Sequence, residues 1–368
     1  MALNQVGLER LNTATTDKIG KNKNLVVNGS MQVSQRASSF TGVDQQEYTV
    51  DQFVTLHSYG SSTINVINSS ESPDDFAKSY KVDVTAADSS IGAGQFMFIR
   101  HKLEAQNLTQ LAYGTSDAKS ITLSFYVRST VTGTYAICLQ QKDNSSKQVN
   151  GTYTINSANT WEKKTFTYAG DTSGVINDDN GHGLDILWTL VAGSNRTSGS
   201  VRSTWTAHAD ADESVGHTAN VLSSTSNNWH LAGVQLEVGS VATDFEHLSF
   251  ADELRRCQRY YFRIPYQGIG SDGGVLIGSG KETGSSARVC VVFPETMRAI
   301  PSCAASNLLA DDESSATSAN TINQVLASTT EPDRGRIQFT GGSYSSANSI
   351  SLATGQATDA YLEGSAEL

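Results

Sequence analysis

From Leu25 onward, apolar and polar residues alternate over short runs. Leu25–Asn28, Tyr48–Val54, Ser62–Ile67, Tyr80–Val84, Phe96–Ile99, Ile121–Arg128 and Tyr135–Gln140 show it first. Trp161–Tyr168, Leu184–Leu190 and Leu231–Glu237 continue it. A period of two puts one face of each strand in a core and the other in water, which is the antiparallel pattern. Many such strands joined by Gly, Ser and Asn turns predict an all-β, two-sheet sandwich.

One segment changes period. After Ser249, residues Phe250, Leu254, Cys257 and Tyr261 fall on one face of a helix, with Asp252 and Glu253 in its first turn and Arg255, Arg256 and Arg259 later. Ser249 is a good cap and the charge order suits the helix dipole. The pattern predicts three to four turns stopped by Pro265. Strand patterns then resume at Gly274–Gly278, Ala287–Phe293 and Arg336–Phe339. Residues 1–24 are polar and thin in apolar anchors. The expected order is an arm at 1–24, a sandwich at 25–247, a linking helix at 248–263 and a smaller β domain at 264–368.

Composition sharpens this. Of 368 residues, charged types make up 17% and the net charge is −11. Ser, Thr, Asn and Gln therefore carry most of the polarity. Nucleic-acid binding needs clustered Lys and Arg to displace counterions, and the chain gathers no such stripe. No apolar run approaches the roughly 20 residues that span a bilayer, so no membrane insertion is expected. The first residues show no secretory h-region, which points to synthesis in a cytoplasm. The four cysteines, Cys138, Cys257, Cys290 and Cys303, form no C-x-x-C pair. They read as free thiols, mostly buried, with Cys290 and Cys303 as the pairing worth checking.

Four blocks matter beyond their hydrophobic pattern: Asn24–Arg36, Tyr48–Phe53, Leu231–Glu246 running into Glu253–Tyr261, and Phe293–Pro301. They resemble proteins of tailed-phage virions, the tail fibres and minor structural proteins. The chain departs from that pattern at Phe53, where Trp is usual, and at Asp244, where Pro is common. The resemblance implies a jelly-roll module similar to carbohydrate-binding modules, then a helix and a small β domain that often trimerises. It does not reach the last roughly 60 residues.

Candidate chemistry is sparse. Trp161, Trp188, Trp205 and Trp229 each have a core reading and a sugar-stacking reading, and the core reading is favoured for each. Trp161 reads as core, whereas Trp205 and Trp229 have the more polar neighbours and are the carbohydrate candidates, with Tyr344 in the C-terminal domain. Asp178, Asp179, Asn180 and Asp185 crowd oxygen atoms on a Gly-rich stretch, a weak calcium pattern without EF-hand spacing. Turn-forming Asx residues explain them more simply. No other cofactor is expected. The helix stripe of Phe250, Leu254, Cys257 and Tyr261 would bind the helix to its own core or to its copies, holding a homotrimer. No nucleophile elbow, zinc-protease motif or phosphate loop occurs, so an enzyme is not expected.

These readings combine into a non-enzymatic virion protein, tail-fibre or tailspike-like. It would be assembled in the host cytoplasm and attached through residues 1–24 to other tail proteins. Its neutral, loop-rich surfaces match a hydroxyl-rich host-surface glycan. The alternatives are a head-decoration or fibre-joining protein and, behind it, a polysaccharide depolymerase.

Overall fold

The computed structural model describes residues 23–58, 60–143, 146–265, 276–282, 286–306, 308–311, 316–319, 322–327, 332–340, 349–354 and 360–368. Twelve strands make the sandwich. They are β1 (Ser39–Thr41), β2 (Phe53–Ser58), β3 (Thr63–Ser69), β4 (Ser79–Ala86), β5 (Phe96–Glu104) and β6 (Ile121–Ser129), followed by β7 (Gly133–Gln141), β8 (Lys147–Ile155), β9 (Glu162–Tyr168), β10 (His182–Ala192), β11 (Thr206–Ala207) and β12 (Asn228–Val238). One sheet runs β1-β3-β4-β12-β6-β9 and the other β11-β8-β7-β10-β5-β2. Their pairings are antiparallel, as between β12 and β6 or β10 and β5. The chain changes sheet at β1–β2, β2–β3, β4–β5, β5–β6, β6–β7, β8–β9 and β9–β10 and returns with β12. This is the expected jelly-roll sandwich.

Alternation explains how the sheets face each other. Along β6, Ile121, Leu123, Phe125 and Val127 are fully buried between the sheets, while Tyr126 and Arg128 point away. Trp188 from β10 meets Phe125 of β6 edge-on at 5.8 Å and Phe53 of β2 lies 5.9 Å from Tyr80 of β4, so the two sheets close on aromatic contacts. A buried aromatic removes more apolar surface from water than any aliphatic, which is why these positions dominate the core.

Two predicted elements differ. Leu25–Asn28 forms a turn, not a strand. Asn28 sits at φ 59°. Its side chain accepts from Val33 N and donates to Val33 O and Asp51 O. Asn tolerates the left-handed region because its amide can replace backbone partners. Val26 and Val27 are still buried, by docking on neighbouring elements. The strand β8 escaped the pattern because Gly151 interrupts its apolar positions.

The helix α1 (Phe250–Gln258) is shorter than expected. Ser249 caps it as predicted, accepting from Asp252 N. It ends before Tyr260-Tyr261-Phe262, because aromatic runs favour extended backbone. Tyr261 instead opens β13 (Tyr261–Pro265), so the expected boundary at 263 falls inside a strand. The remaining strands are β14 (Leu276–Glu282), β15 (Ser286–Val292), β16 (Ser302–Ser306), β17 (Leu308–Asp311), β18 (Ala316–Ala319), β19 (Ile322–Ala327), β20 (Arg334–Thr340), β21 (Ser349–Thr354) and β22 (Tyr361–Ser365). They form a three-stranded sheet, β13-β22-β16, and a seven-stranded one, β18-β17-β21-β14-β15-β20-β19. Phe262, Val289, Val291, Phe293 and Leu362 make a separate core there.

The joint between the units is built by the blocks that resemble phage proteins. The Asn24 side chain donates to Val234 O and accepts from Leu236 N on β12. Arg256 donates to Asn24 O and Val26 O, tying α1 to the same turn. Gly29 packs so closely on β12 that a Cβ would lie 2.0 Å from Val234 O. Asn24 is buried and belongs to the fold, although the arm was expected to run through it; residues 1–22 lie outside the described residues.

Candidate functional site

The residues singled out from sequence take different places. Trp229 is a correction: it is fully buried between the sheets and offers no face to a ligand. Trp205 is half-buried, edge-on to Tyr113 at 5.7 Å, and its indole donates to Ala169 O at 2.9 Å. Trp161, read as core, is half-buried beside His230 at 5.7 Å. Tyr344 lies outside the described residues.

The weak calcium set does not converge. Asp178, Asp179 and Asn180 are exposed on a loop, where Asp179 accepts from Gly181 N and Asn180 donates to Arg298 O. Asp185, on β10, is fully buried and surrounded by Arg100 at 2.8 Å, Lys142 at 3.3 Å and His182. Burial pushes its carboxyl up, but the His182 contact and these cations outweigh it and hold it at about 2. A carboxylate already paired with two cations and hydrogen-bonded to His182 has its charge met without a metal ion.

The helix stripe is likewise used within the chain. Cys257 packs on Val27, Val33 and Tyr260, with Leu254 against the same cluster. Tyr261 is buried and stacks under the Arg36 guanidinium at 3.5 Å. Of the four stripe residues only Phe250 is exposed. Leu254 and Cys257 therefore pack on this chain's own turn and Tyr261 on Arg36. All four cysteines are free, with Cys138 and Cys257 buried.

The outer face of the β5-β10-β7 sheet is closed by the chain itself. Phe96, Phe98, Cys138 and Leu187 form an apolar patch there. Arg196, in the loop after β10, lays its guanidinium 3.9 Å from the Phe96 ring and pairs with Glu213. Glu213 also accepts from Gln140 at 2.7 Å and contacts His208 at 3.0 Å. Asp210 joins His208 and Glu213 within 4.8 Å, the one described cluster with metal-like geometry. Arg196 faces both of its acids, so the local charge is already met. Burial raises Glu213, but His208, Arg196 and Gln140 together bring its carboxyl below the usual range.

The other sheet keeps an open groove of about 500 Å³ on its outer face. Its walls carry Phe76 from the β3–β4 connection, Tyr126 from β6, and Phe245 and His247 from the segment after β12. Phe76 lies 4.9 Å from Phe245, 5.2 Å from His247 and 5.6 Å from Tyr126. Asp75, Asp244, Lys163 and Ser124 complete the lining. The floor depends on a bulge in β12 between Ala232 and Gln235, where Gly233 takes φ +58°. A Cβ at Gly233 would come within 2.6 Å of Phe76 Cζ and 3.0 Å of Tyr126 Cδ2. Aromatic faces beside unengaged polar groups can bind the C–H face of a pyranose and its hydroxyls together.

The sequence reading missed this groove, since its rings are distant along the chain. One signal was available. Tyr126 is an aromatic residue on the wet side of an alternating strand, between the core residues Phe125 and Val127.

No protein-family model matches the chain, and no curated protein matches it. Among solved structures, the enzymatically active domain of tailspike protein 4 from bacteriophage CBA120 is similar at 10% identity and TM-score 0.31, covering 59% of this chain. The alignment spans only 21% of that tailspike chain. A family 4 carbohydrate-binding module is similar at 15% identity and TM-score 0.32, covering 58% of this chain and 99% of its own. The CBM22-1 xylan-binding domain from Paenibacillus barcinonensis is similar at 10% identity and TM-score 0.27, covering 57% and 99%. The jelly-roll assignment stands on the strand pairings themselves.

Proposed function

We propose that this protein is a non-enzymatic component of a tailed-phage virion, tail-fibre or tailspike-like, that holds a cell-surface glycan in the groove beside Tyr126. The carrying observation is the groove itself, with four aromatic or imidazole rings, Phe76, Tyr126, Phe245 and His247, around about 500 Å³. Its size falls within the roughly 300–1,000 Å³ of small-ligand sites. The phage reading rests on the blocks at Asn24–Arg36, Leu231–Glu246 and Glu253–Tyr261, which meet at the joint between the two units. Several copies on one particle would turn weak contacts into firm adsorption.

The test is retention of purified protein on beads bearing bacterial envelope polysaccharides, with polymer length measured before and after. Retention that falls about tenfold in Tyr126→Ala, stays in Trp205→Ala and leaves polymer length unchanged supports the reading. Equal retention of Tyr126→Ala overturns the groove, and polymer shortening makes the protein a depolymerase. Antibody labelling of particles should mark the tail; labels scattered over the head would favour a decoration protein.

A further inference from the structure

The groove's charges narrow its ligand, an inference that rests on the saccharide-binding reading above. Asp75 and Asp244 are both exposed at its rim. Among the described residues neither carboxylate has a hydrogen-bond or ion-pair partner, in contrast to Asp171, Asp185 and Asp212, which are held by Lys147, Arg100 and Arg202. The rings are tilted rather than stacked, at 71° between Phe76 and Phe245, 68° between Phe245 and His247 and 56° between Phe76 and Tyr126. Faces and edges therefore turn in several directions around one cavity. The chain places one of its own cations here, with Lys163 Nζ 5.8 Å from the Tyr126 ring centre.

A neutral sugar can donate its hydroxyls to the two carboxylates but leaves their charge unmatched, and a uronic acid would be repelled by them. An ammonium group suits both features. Ring faces carry negative potential and attract cations, and a carboxylate strengthens an N–H contact by its charge. We propose that the groove selects a saccharide bearing an ammonium group, with Asp75 and Asp244 as its counter-ions and Lys163 as the residue it displaces from the Tyr126 face.

Titration calorimetry on the full chain tests this with a glucosamine trisaccharide, the N-acetylated trisaccharide and choline. The free amine should bind at least about tenfold more tightly than the N-acetylated form. Asp75→Asn with Asp244→Asn should erase that difference. Asp178→Asn with Asp179→Asn, which removes the same charge from another loop, should keep it. Lys163→Ala should strengthen amine binding, because a competing cation is gone. Competition by choline would assign the ammonium to a substituent, and its failure would assign it to the sugar amine; either supports the proposal. Equal binding of the two trisaccharides overturns the ammonium selection and leaves saccharide binding standing. Binding of none of the three probes, with no polysaccharide retained on beads, removes both.

Discussion

The backbone N–H of Asn28 donates to Glu253 Oε1 at 2.7 Å, joining residues 225 positions apart. It links the turn that opens the sandwich to the first part of α1, and Glu253 is buried where it does so. Nearby, Glu104 at the end of β5 accepts from Arg259 Nε at 2.8 Å and from Tyr260 Oη at 2.8 Å. The two units are thus held by polar groups removed from water, whose loss leaves a partner unsatisfied.

Glu104→Gln tests that joint. Removing the buried Glu104 charge leaves the half-buried Arg259 and the buried Tyr260 hydroxyl without their partner, at a cost of about 1–3 kcal/mol. The single thermal transition should split or fall, and proteolysis should reach the 239–265 region sooner. An unchanged melting curve would mean that the apolar contacts of Cys257 and Tyr260 hold the units alone.

Gly233→Ala should distort the groove more than the fold. The added methyl meets Phe76 and Tyr126, and the left-handed backbone adds strain. Overpacking costs about 1–3 kcal/mol, so the protein should still fold with a lower melting temperature. Retention on polysaccharide should be lost, and Phe76→Ala in the same chain should recover part of the melting temperature, since Tyr126 and the left-handed backbone still oppose the methyl, but not the retention.

Trp229→Ala should cost about 3–5 kcal/mol, since its side chain is fully buried and leaves a cavity. Trp205→Ala should cost clearly less, because that ring is half-buried. Urea unfolding of the two variants gives the order, and the reverse order would contradict the placement of Trp229.

Acid should weaken the sandwich through its histidines. Burial lowers His101 and His217 to about 4, and burial with the Arg128 and Lys81 charges lowers His230 to about 3. A base with a folded pKa below its unfolded value near 6.5 binds fewer protons when folded. Its contribution is complete above about pH 6.5 and is lost as pH falls toward the folded value. Asp51, Glu253 and Glu367, raised chiefly by burial, act in the opposite sense: they add stability as pH falls through their raised values. The comparison of wild type with His230→Gln isolates the histidine. Between pH 7 and 4.5 the wild type should lose roughly 2–3 kcal/mol relative to the variant. Parallel stability curves would show that His230 is not held neutral.

The sequence alone determined what depends on neighbours along the chain. Alternation placed Ile121, Leu123, Phe125 and Val127 in a core and made the protein an antiparallel sandwich, because a strand's two faces are set by a period of two. Ser249 and the charge order announced α1, because capping is satisfied within one turn. Tertiary structure decided the rest. Trp229 has polar neighbours in sequence yet lies in the core, because its strand β12 is central in a sheet and its inward position is closed by the opposite one. The Phe250–Tyr261 stripe looked available to a copy until the turn at Asn24–Val33 packed on Leu254 and Cys257 and the Arg36 guanidinium stacked on Tyr261. Asp185 looked like an oxygen ligand until β5 and β7 brought Arg100 and Lys142 beside it. The groove exists only because a bulge at Gly233 lets Phe76, Tyr126 and Phe245 meet. Local patterns set which way a side chain points, and only the packed fold sets what it points at.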